Sequence, residues 1–260
     1  MERIDLNADV GESFGPYVIG NDERMFRHVT SANIACGSHG GDPSVMRRTV
    51  RLAVAGGVSP GAHPGYADLM GFGRRDIAMD SQELEDLVVY QIGALAAMAA
   101  AEGTRLHHVK PHGALYNRAA RDRPLADAIA RAVRAVDARL ILFGGSGSCL
   151  VEAGDALGLP TAAEVFADRA YRPDGSLVSR RESGAVITDP AAVAERALRL
   201  VQRGEVATVT GEVIELRRDT ICLHGDTPGS GDIAAKLRAR LEAAGIRLAP
   251  VGTADRPSGT

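Results

Sequence analysis

Short apolar or β-branched runs alternate along the chain with longer segments whose apolar residues return every three or four positions, the pattern of βα units around a parallel sheet. This predicts seven strands: Ile4–Ala8, Ser31–Cys36, Val58–Ala62, His107–Lys110, Leu140–Phe143, Ala162–Phe166 and Thr220–Leu223. Helix starts are marked chemically. Asp42-Pro43 and Asp189-Pro190 each set an N-cap acid before a proline at the first helical position, and Asp80-Ser-Gln-Glu83 reads as a capping box. The Ala-rich helix from Asp80 ends near Glu102, before Gly103, and further helices are expected over Arg123–Val136, Gly147–Leu157 and Ala234–Ala244. Ala167–Ala185 breaks the rhythm with the turn signal Pro173-Asp174-Gly175 and reads as a long loop or hairpin over one mouth of a barrel. Val206–Leu216 reads as a second small hairpin and Thr253–Thr260 as a disordered tail, so one α/β domain is expected over residues 1–252.

Composition narrows the partners. With 45% hydrophobic and 24% charged residues the 260-residue chain suits a globular protein, and 30 Lys+Arg against 33 Asp+Glu leave no basic excess for nucleic acid. Cys36, Cys149 and Cys222 are widely spaced and odd in number, as expected of reduced thiols in the cytoplasm. The opening MERIDLNADVGES carries acids where a signal peptide needs an apolar stretch, and the longest apolar run, Ile92–Ala101, is too short to span a bilayer. Neither nucleic acid nor membrane is an expected partner. With 4% aromatics and no Trp, recognition must rest on polar side chains and backbone.

Of the seven histidines, His39, His63, His112 and His224 directly follow predicted strands, as do Asp9 and Glu12 after the first strand and Glu164 and Asp168 around the sixth. In a βα barrel the loops after the strands share one face, so these groups converge on a polar cleft. Lys110, before Pro111 at the end of an interior strand, either points its charge into the mouth or is buried with a partner. Other residues read as structural: Asp42 as an N-cap, His28 at a helix end, and His107 and His108 within a strand, one facing the sheet and one the helical layer. Asp9 and Glu12 also have a plain alternative, that of holding loop backbone. Gly144-Gly145-Ser146-Gly147 is a weak phosphate-cradle signal without the lysine of a P-loop, and Arg74-Arg75 suits an anion or a solvated loop equally.

Six segments in order, LNADVGESFG, NIACGSHGGDP, GAHPGYADLMGFGRR, VKPHGALYN, EVFADRAY and CLHGDTPG, closely resemble the LamB/YcsF family over about residues 3 to 250. The resemblance implies a distorted seven-stranded TIM-like (β/α) barrel similar to glycoside hydrolases and deacetylases. It also implies the role of the A component in ATP-dependent 5-oxoprolinase, opening 5-oxo-L-proline to L-glutamate with two partner subunits, B and C. No Walker-type loop is present, so ATP is expected on the partners. Lactam hydrolysis needs an activated carbonyl, an activated water and a proton for the leaving nitrogen. The expected catalytic groups are Asp9 as base or metal ligand, Lys110 as the electrostatic partner of the substrate carboxylate or a developing oxyanion, and His63 and His112 as acid/base or ligands. Glu12, His39, Glu164, His224 and Asp226 are expected to contact substrate. A divalent metal stays open, with Asp9, His63 and His112 as its candidate ligands. Two alternatives remain: a free-standing metal-dependent amide or N-acetyl hydrolase, against which the missing HxxxH pair counts, and a non-catalytic substrate-binding subunit.

Overall fold

The computed structural model describes residues 2–180, 182–224 and 229–252, with His224 in its backbone alone. In chain order the elements are β1 (Arg3–Val10), α1 (Asp22–Met25), β2 (Ser31–Ala35), α2 (Pro43–Gly56), β3 (Ser59–His63), α3 (Ser81–Ala101), β4 (His108–Val109), α4 (Gly113–Ala119) and α5 (Arg123–Val136). They continue with β5 (Ile141–Gly145), α6 (Cys149–Ala156), β6 (Thr161–Phe166), α7 (Pro190–Arg203), β7 (Glu205–Ala207), β8 (Val213–Glu215), β9 (Thr220–His224), α8 (Ser230–Ala243) and β10 (Arg247–Leu248). Strands β1 to β6 pair in parallel in sequence order, β9 follows β6, and β9 pairs back to β1, which closes a seven-stranded barrel. These are the seven strands that the hydrophobic pattern predicts. β10 extends the start of β1, and β7 with β8 makes the small antiparallel hairpin expected over Val206–Leu216.

Capping chemistry sets the helix starts. Asp42 accepts from the backbone N–H groups of Ser44 and Val45 ahead of Pro43, Asp80 completes its capping box with Glu83, and Asp189 caps α7. Each such cap contributes about 1 kcal/mol. Two helices escape the pattern: α4 opens at Gly113 (φ +56°) behind His112, and α8 opens behind Gly229, neither with a side-chain cap, whereas the single turn of α1 is capped by Asn21. Gly144 to Gly147 carry the chain from β5 into a tight turn before α6, which Ser148 caps. Ala167–Ala185 is a long loop with the isolated bridges Arg169↔Val186 and Tyr171↔Leu177, and the predicted tail Thr253–Thr260 lies outside the described residues.

Alternation along the strands separates two environments. On β1, Ile4, Leu6, Ala8 and Val10 face outward into the helix-covered core with Val88, Ile92 and Leu95 of α3. Asp5, Asn7 and Asp9 face inward, where their partners come from β2, β4, β6 and β9. At the N-terminal end of the lumen, Ile141, Phe143 and Ala162 form a separate apolar plug with Val251. Above it the lumen is polar. A Cβ at Gly61 would overlap the His108 ring, so this glycine makes room for a histidine inside the barrel, stacked on Phe143 with centroids 4.3 Å apart.

Asp5 sits low in this polar column and accepts from Thr30 (2.5 Å), Ser31 (2.8 Å) and Thr220 (2.6 Å). Burial outweighs these donors and pushes its carboxyl up to about 6. The folded chain therefore keeps a proton that the unfolded chain loses above its ordinary value of 3.8. The stabilisation is fully present below about pH 4 and is lost as pH rises through about 6, a change of about 3 kcal/mol. Asp5→Asn is expected to flatten this fall. Urea unfolding at about pH 4 and about pH 7 checks it, and an unaltered pH difference in the variant would show that Asp5 is not its source.

Candidate active site at the barrel mouth

The site is built around one buried cation. Lys110, at the end of β4 and 3% exposed, extends its Nζ to Asp9 Oδ1 (2.9 Å) on β1, Glu164 Oε1 (2.9 Å) on β6, Cys222 Sγ (2.9 Å) on β9 and Asn7 Oδ1 (3.3 Å). Burial opposes the charge, but Asp9, Cys222 and Glu164 outweigh it and hold the ammonium well above the usual lysine value. The Cys222 thiol is pushed well up by burial, so its sulfur accepts from the ammonium as a neutral group.

Amides fix the carboxylates around it with a single hydrogen-bond polarity. His108 Nε2 donates to Asn33 Oδ1 (2.8 Å), and Asn33 Nδ2 donates to both Asn7 Oδ1 (2.7 Å) and Asp9 Oδ1 (2.8 Å). Asn7 Nδ2 then donates to Glu164 Oε1 (3.0 Å) and Thr220 Oγ1 (2.7 Å), and the Thr220 hydroxyl donates to Asp5. Both hydrogens of each amide are used, which is the condition for a buried polar network to stabilise rather than cost.

A cluster of imidazoles adjoins this network. His63 Nδ1 donates to the Lys110 carbonyl (2.6 Å), and His112 Nε2 donates to the Phe72 carbonyl (2.8 Å). Their other nitrogens, His63 Nε2 and His112 Nδ1, face each other at 3.0 Å, and His63 Nε2 lies 3.4 Å from Asp9 Oδ1. The His39 ring stacks on His112 at 3.7 Å with planes 1° apart, and its Nε2 sits 3.3 Å from Glu12 Oε1, which is 3.5 Å from His112 Nδ1. Burial lowers His112 to about 3 and His39 well below the usual histidine range, so both rings are neutral at neutral pH. Glu12, His39, His63 and His112 each offer a ligand atom within 4.8 Å of the others, so these residues could hold a metal ion.

The loop after β3 is shaped to close on these rings. Phe72 is the one non-glycine residue with positive φ (+54°) among the described residues, and that turn aims its carbonyl at His112. Such backbone costs about 1–3 kcal/mol and persists only where its surroundings enforce it. At Gly73 (φ +63°) a Cβ would lie 2.7 Å from both His112 Cδ2 and His39 Cβ, so only glycine lets the loop pass. Gln91 of α3 clamps the same loop from below, accepting from Gly65 N (3.0 Å) and donating to Gly65 O (2.8 Å).

Asp9, Glu12, His39, His63, Lys110, His112 and Glu164 thus converge on one end of the barrel. The side chain of His224 and all of Asp226 lie outside the described residues. One position differs from the expectation and two open ones are settled. Asp9 lies within β1 rather than after it, because the strand runs on to Val10. Lys110 takes the buried, partnered option: its three N–H groups are directed at Asp9, Glu164 and the Cys222–Asn7 side, beneath the mouth. His108 faces the lumen and anchors the amide network. Asn7, Asn33, Cys222 and Phe72 were not singled out by sequence. The polar alternation Asp5, Asn7, Asp9 in IDLNADV was the available signal for Asn7. Phe72 left none, since its role is that of a backbone carbonyl.

Removing the ammonium would leave Asp9 and Glu164 facing one another without compensation. Lys110→Met is expected to cost about 3–5 kcal/mol in urea unfolding at neutral pH, and Glu164→Gln in that background should recover part of it. A double-mutant cycle measures the coupling; additivity within about 0.5 kcal/mol would show that the pair does not interact.

Comparison with known proteins places the chain in a family. The LamB/YcsF family matches residues 4–256. The chain is 56% identical over 251 residues to the A subunit of 5-oxoprolinase from Rhodopseudomonas palustris (strain BisB18), covering 96% of this chain and 98% of that protein. It is 54% identical over 253 residues to the protein of the same name from Bacillus licheniformis, covering 97% and 100% of the two chains. The crystal structure of the lactam utilization protein from Thermus thermophilus superposes with a TM-score of 0.91 at 48% identity, covering 95% of this chain and 99% of that one. A match over nearly the whole chain makes it a member of the LamB/YcsF family.

Proposed function

We propose that this chain is the barrel component, the A subunit, of an ATP-dependent 5-oxoprolinase that opens the lactam of 5-oxo-L-proline to L-glutamate together with partner subunits B and C. The observation that carries the reading is the near full-length identity, 54–56%, to relatives named as the A subunit of 5-oxoprolinase. The mouth chemistry supports it. A five-membered lactam is a stable amide with a poor leaving nitrogen, and ATP on the partner subunits supplies activation by phosphorylating the amide oxygen. What remains is proton transfer at a fixed geometry, which positioned carboxylates and imidazoles provide.

Within this reading Asp9 is the base that takes a proton from the attacking water, its Oδ1 fixed by Lys110 and Asn33 and its side chain 12% exposed. His63 Nε2 lies 3.4 Å from Asp9 Oδ1 and 3.0 Å from His112 Nδ1, and the two rings flank this base as acid/base groups or ligands. Lys110 is a positioning residue that holds Asp9 and Glu164 in place, and Glu12 and His39 border the substrate. The three free cysteines suit a reducing compartment, and we place the complex in the cytoplasm.

Glutamate release from 5-oxo-L-proline is expected only when all three subunits and ATP are present, measured with the purified chain alone and in the reconstituted complex. Comparable release by the isolated chain without ATP would replace the coupled reading with that of a free-standing amide hydrolase. In the complex, Asp9→Asn should lower turnover by about 10²–10⁴-fold, the range of a lost general base. A folded Asp9→Asn complex with normal kcat and a raised KM would instead make this chain a substrate-binding subunit.

A further inference from the structure

The facing nitrogens of His63 and His112 pose a problem of unmatched acceptors. Each ring has spent its N–H on a backbone carbonyl, His63 Nδ1 on Lys110 O (2.6 Å) and His112 Nε2 on Phe72 O (2.8 Å). With those N–H groups spent, the nitrogens left over present lone pairs to one another, yet they stand 3.0 Å apart. The carboxylate oxygen Glu12 Oε1, which takes a hydrogen bond from His39 Nε2 (3.3 Å), stands 3.5 Å from His112 Nδ1. One proton between the rings would relieve only the His63–His112 edge. A cation relieves that edge as well and adds an anionic ligand in Glu12.

We propose that Glu12 Oε1, His63 Nε2 and His112 Nδ1 bind one divalent transition-metal ion of the Zn²⁺ class. Two of the three edges, 3.0 and 3.5 Å, are close to the separation of about 3.3 Å between ligands in a tetrahedral site with metal–ligand bonds of about 2.0–2.1 Å, and the ligand atoms of the cluster all lie within 4.8 Å of one another. Two imidazoles and one carboxylate form a donor set suited to Zn²⁺, and three protein ligands leave a fourth position for water or substrate. The surrounding bonds follow the same logic, since ligating histidines give their second N–H to a carbonyl or carboxylate, which fixes tautomer and ring direction. Both rings here do so. His39 has a different part. Its plane is parallel to that of His112, so the two rings cannot both aim an in-plane lone pair at one ion. Its Nε2 instead donates to Glu12 Oε1 and orients the carboxylate, which leaves the buried Nδ1 without a partner in the structure. Asp9, joined to Lys110 and Asn33, stands beside the ion's position rather than in its shell, in contrast to the expected set of Asp9, His63 and His112.

The binding does not depend on the lactam reading, so it is tested on the full-length, tag-free chain alone. After chelator stripping, Zn²⁺ titration followed by calorimetry and metal analysis is expected to give one site per chain, and Co²⁺ should give the visible ligand-field absorption of a four-coordinate centre. His63→Ala and His112→Ala should each weaken Zn²⁺ binding by at least about 100-fold, and His39→Ala by about 10-fold, the range of a lost outer-shell partner. His28→Ala, remote from the cluster, should bind as the parent does. A stripped, folded chain that takes up no Zn²⁺ or Co²⁺, or a His63→Ala/His112→Ala chain that binds with parent affinity, would overturn the site and leave a shared proton between the two rings.

Discussion

A lysine ammonium buried among carboxylates is the constraint from which the rest of this barrel follows. Taking one charge out of water costs several kcal/mol, and the cost is met only when opposite charges and hydrogen-bond acceptors surround it closely. Lys110 has Asp9 and Glu164 at 2.9 Å and further acceptors in Cys222 and Asn7. Those partners come from β1, β6 and β9, across the lumen from β4, so the ion cluster forms only when the barrel is closed. Closure and site assembly are one event. The requirement also explains the polar lumen above an apolar plug, because the carboxylates need donors in turn, and Asn7, Asn33 and Thr220 are those donors.

The loops at the mouth solve a second problem, which is to hold imidazoles at fixed angles. Hydrogen bonds to backbone carbonyls do this for His63 and His112, and one carbonyl is available only because Phe72 accepts a left-handed backbone. The strained turn is fastened on several sides. The Phe72 ring packs edge-on against His39 and His112, the Arg74 guanidinium lies over it at 5.0 Å, and Asp68 accepts from Gly71 N in the same loop. Glycine at 73 removes the side chain that would separate loop from rings.

What the sequence reveals and what it hides divide along physical lines. Strand order and helix starts are local, set by alternation, N-cap acids and prolines, and they read directly: all seven barrel strands and the caps at Asp42, Asp80 and Asp189 are legible. That Asp9, His63, Lys110 and His112 meet is also legible, because the βα pattern puts the ends of all strands on one face. The depth of each residue is not. A two-residue extension of β1 draws Asp9 into the lumen, and the direction of Lys110 depends on acceptors from three distant strands. Asn33 and Cys222 look like ordinary strand residues until closure turns them toward Lys110 and its partners. Phe72 works through its carbonyl, and Gly61 and Gly73 through absent atoms, for which a single sequence has no sign.

The choice of amides over acids in the lumen has a consequence for the mouth. Asn33 gives one hydrogen to Asp9 and the other to Asn7, while its own oxygen takes a proton from His108, so the network transmits orientation without adding charge. An aspartate at either asparagine position would crowd another acceptor against Asp9 or Glu164 and draw on the single ammonium. Carboxyl groups already outnumber that ammonium, since Asp9, Glu12 and Glu164 all belong to the cluster and His39 and His112 are held neutral by burial. A carboxylate-bearing ligand brings a further negative charge. The proposed cation at the junction of Glu12, His63 and His112 would offset that charge beside the pinned Asp9. The same neutrality that lets the lumen fold around one lysine therefore leaves the mouth suited to a second positive centre.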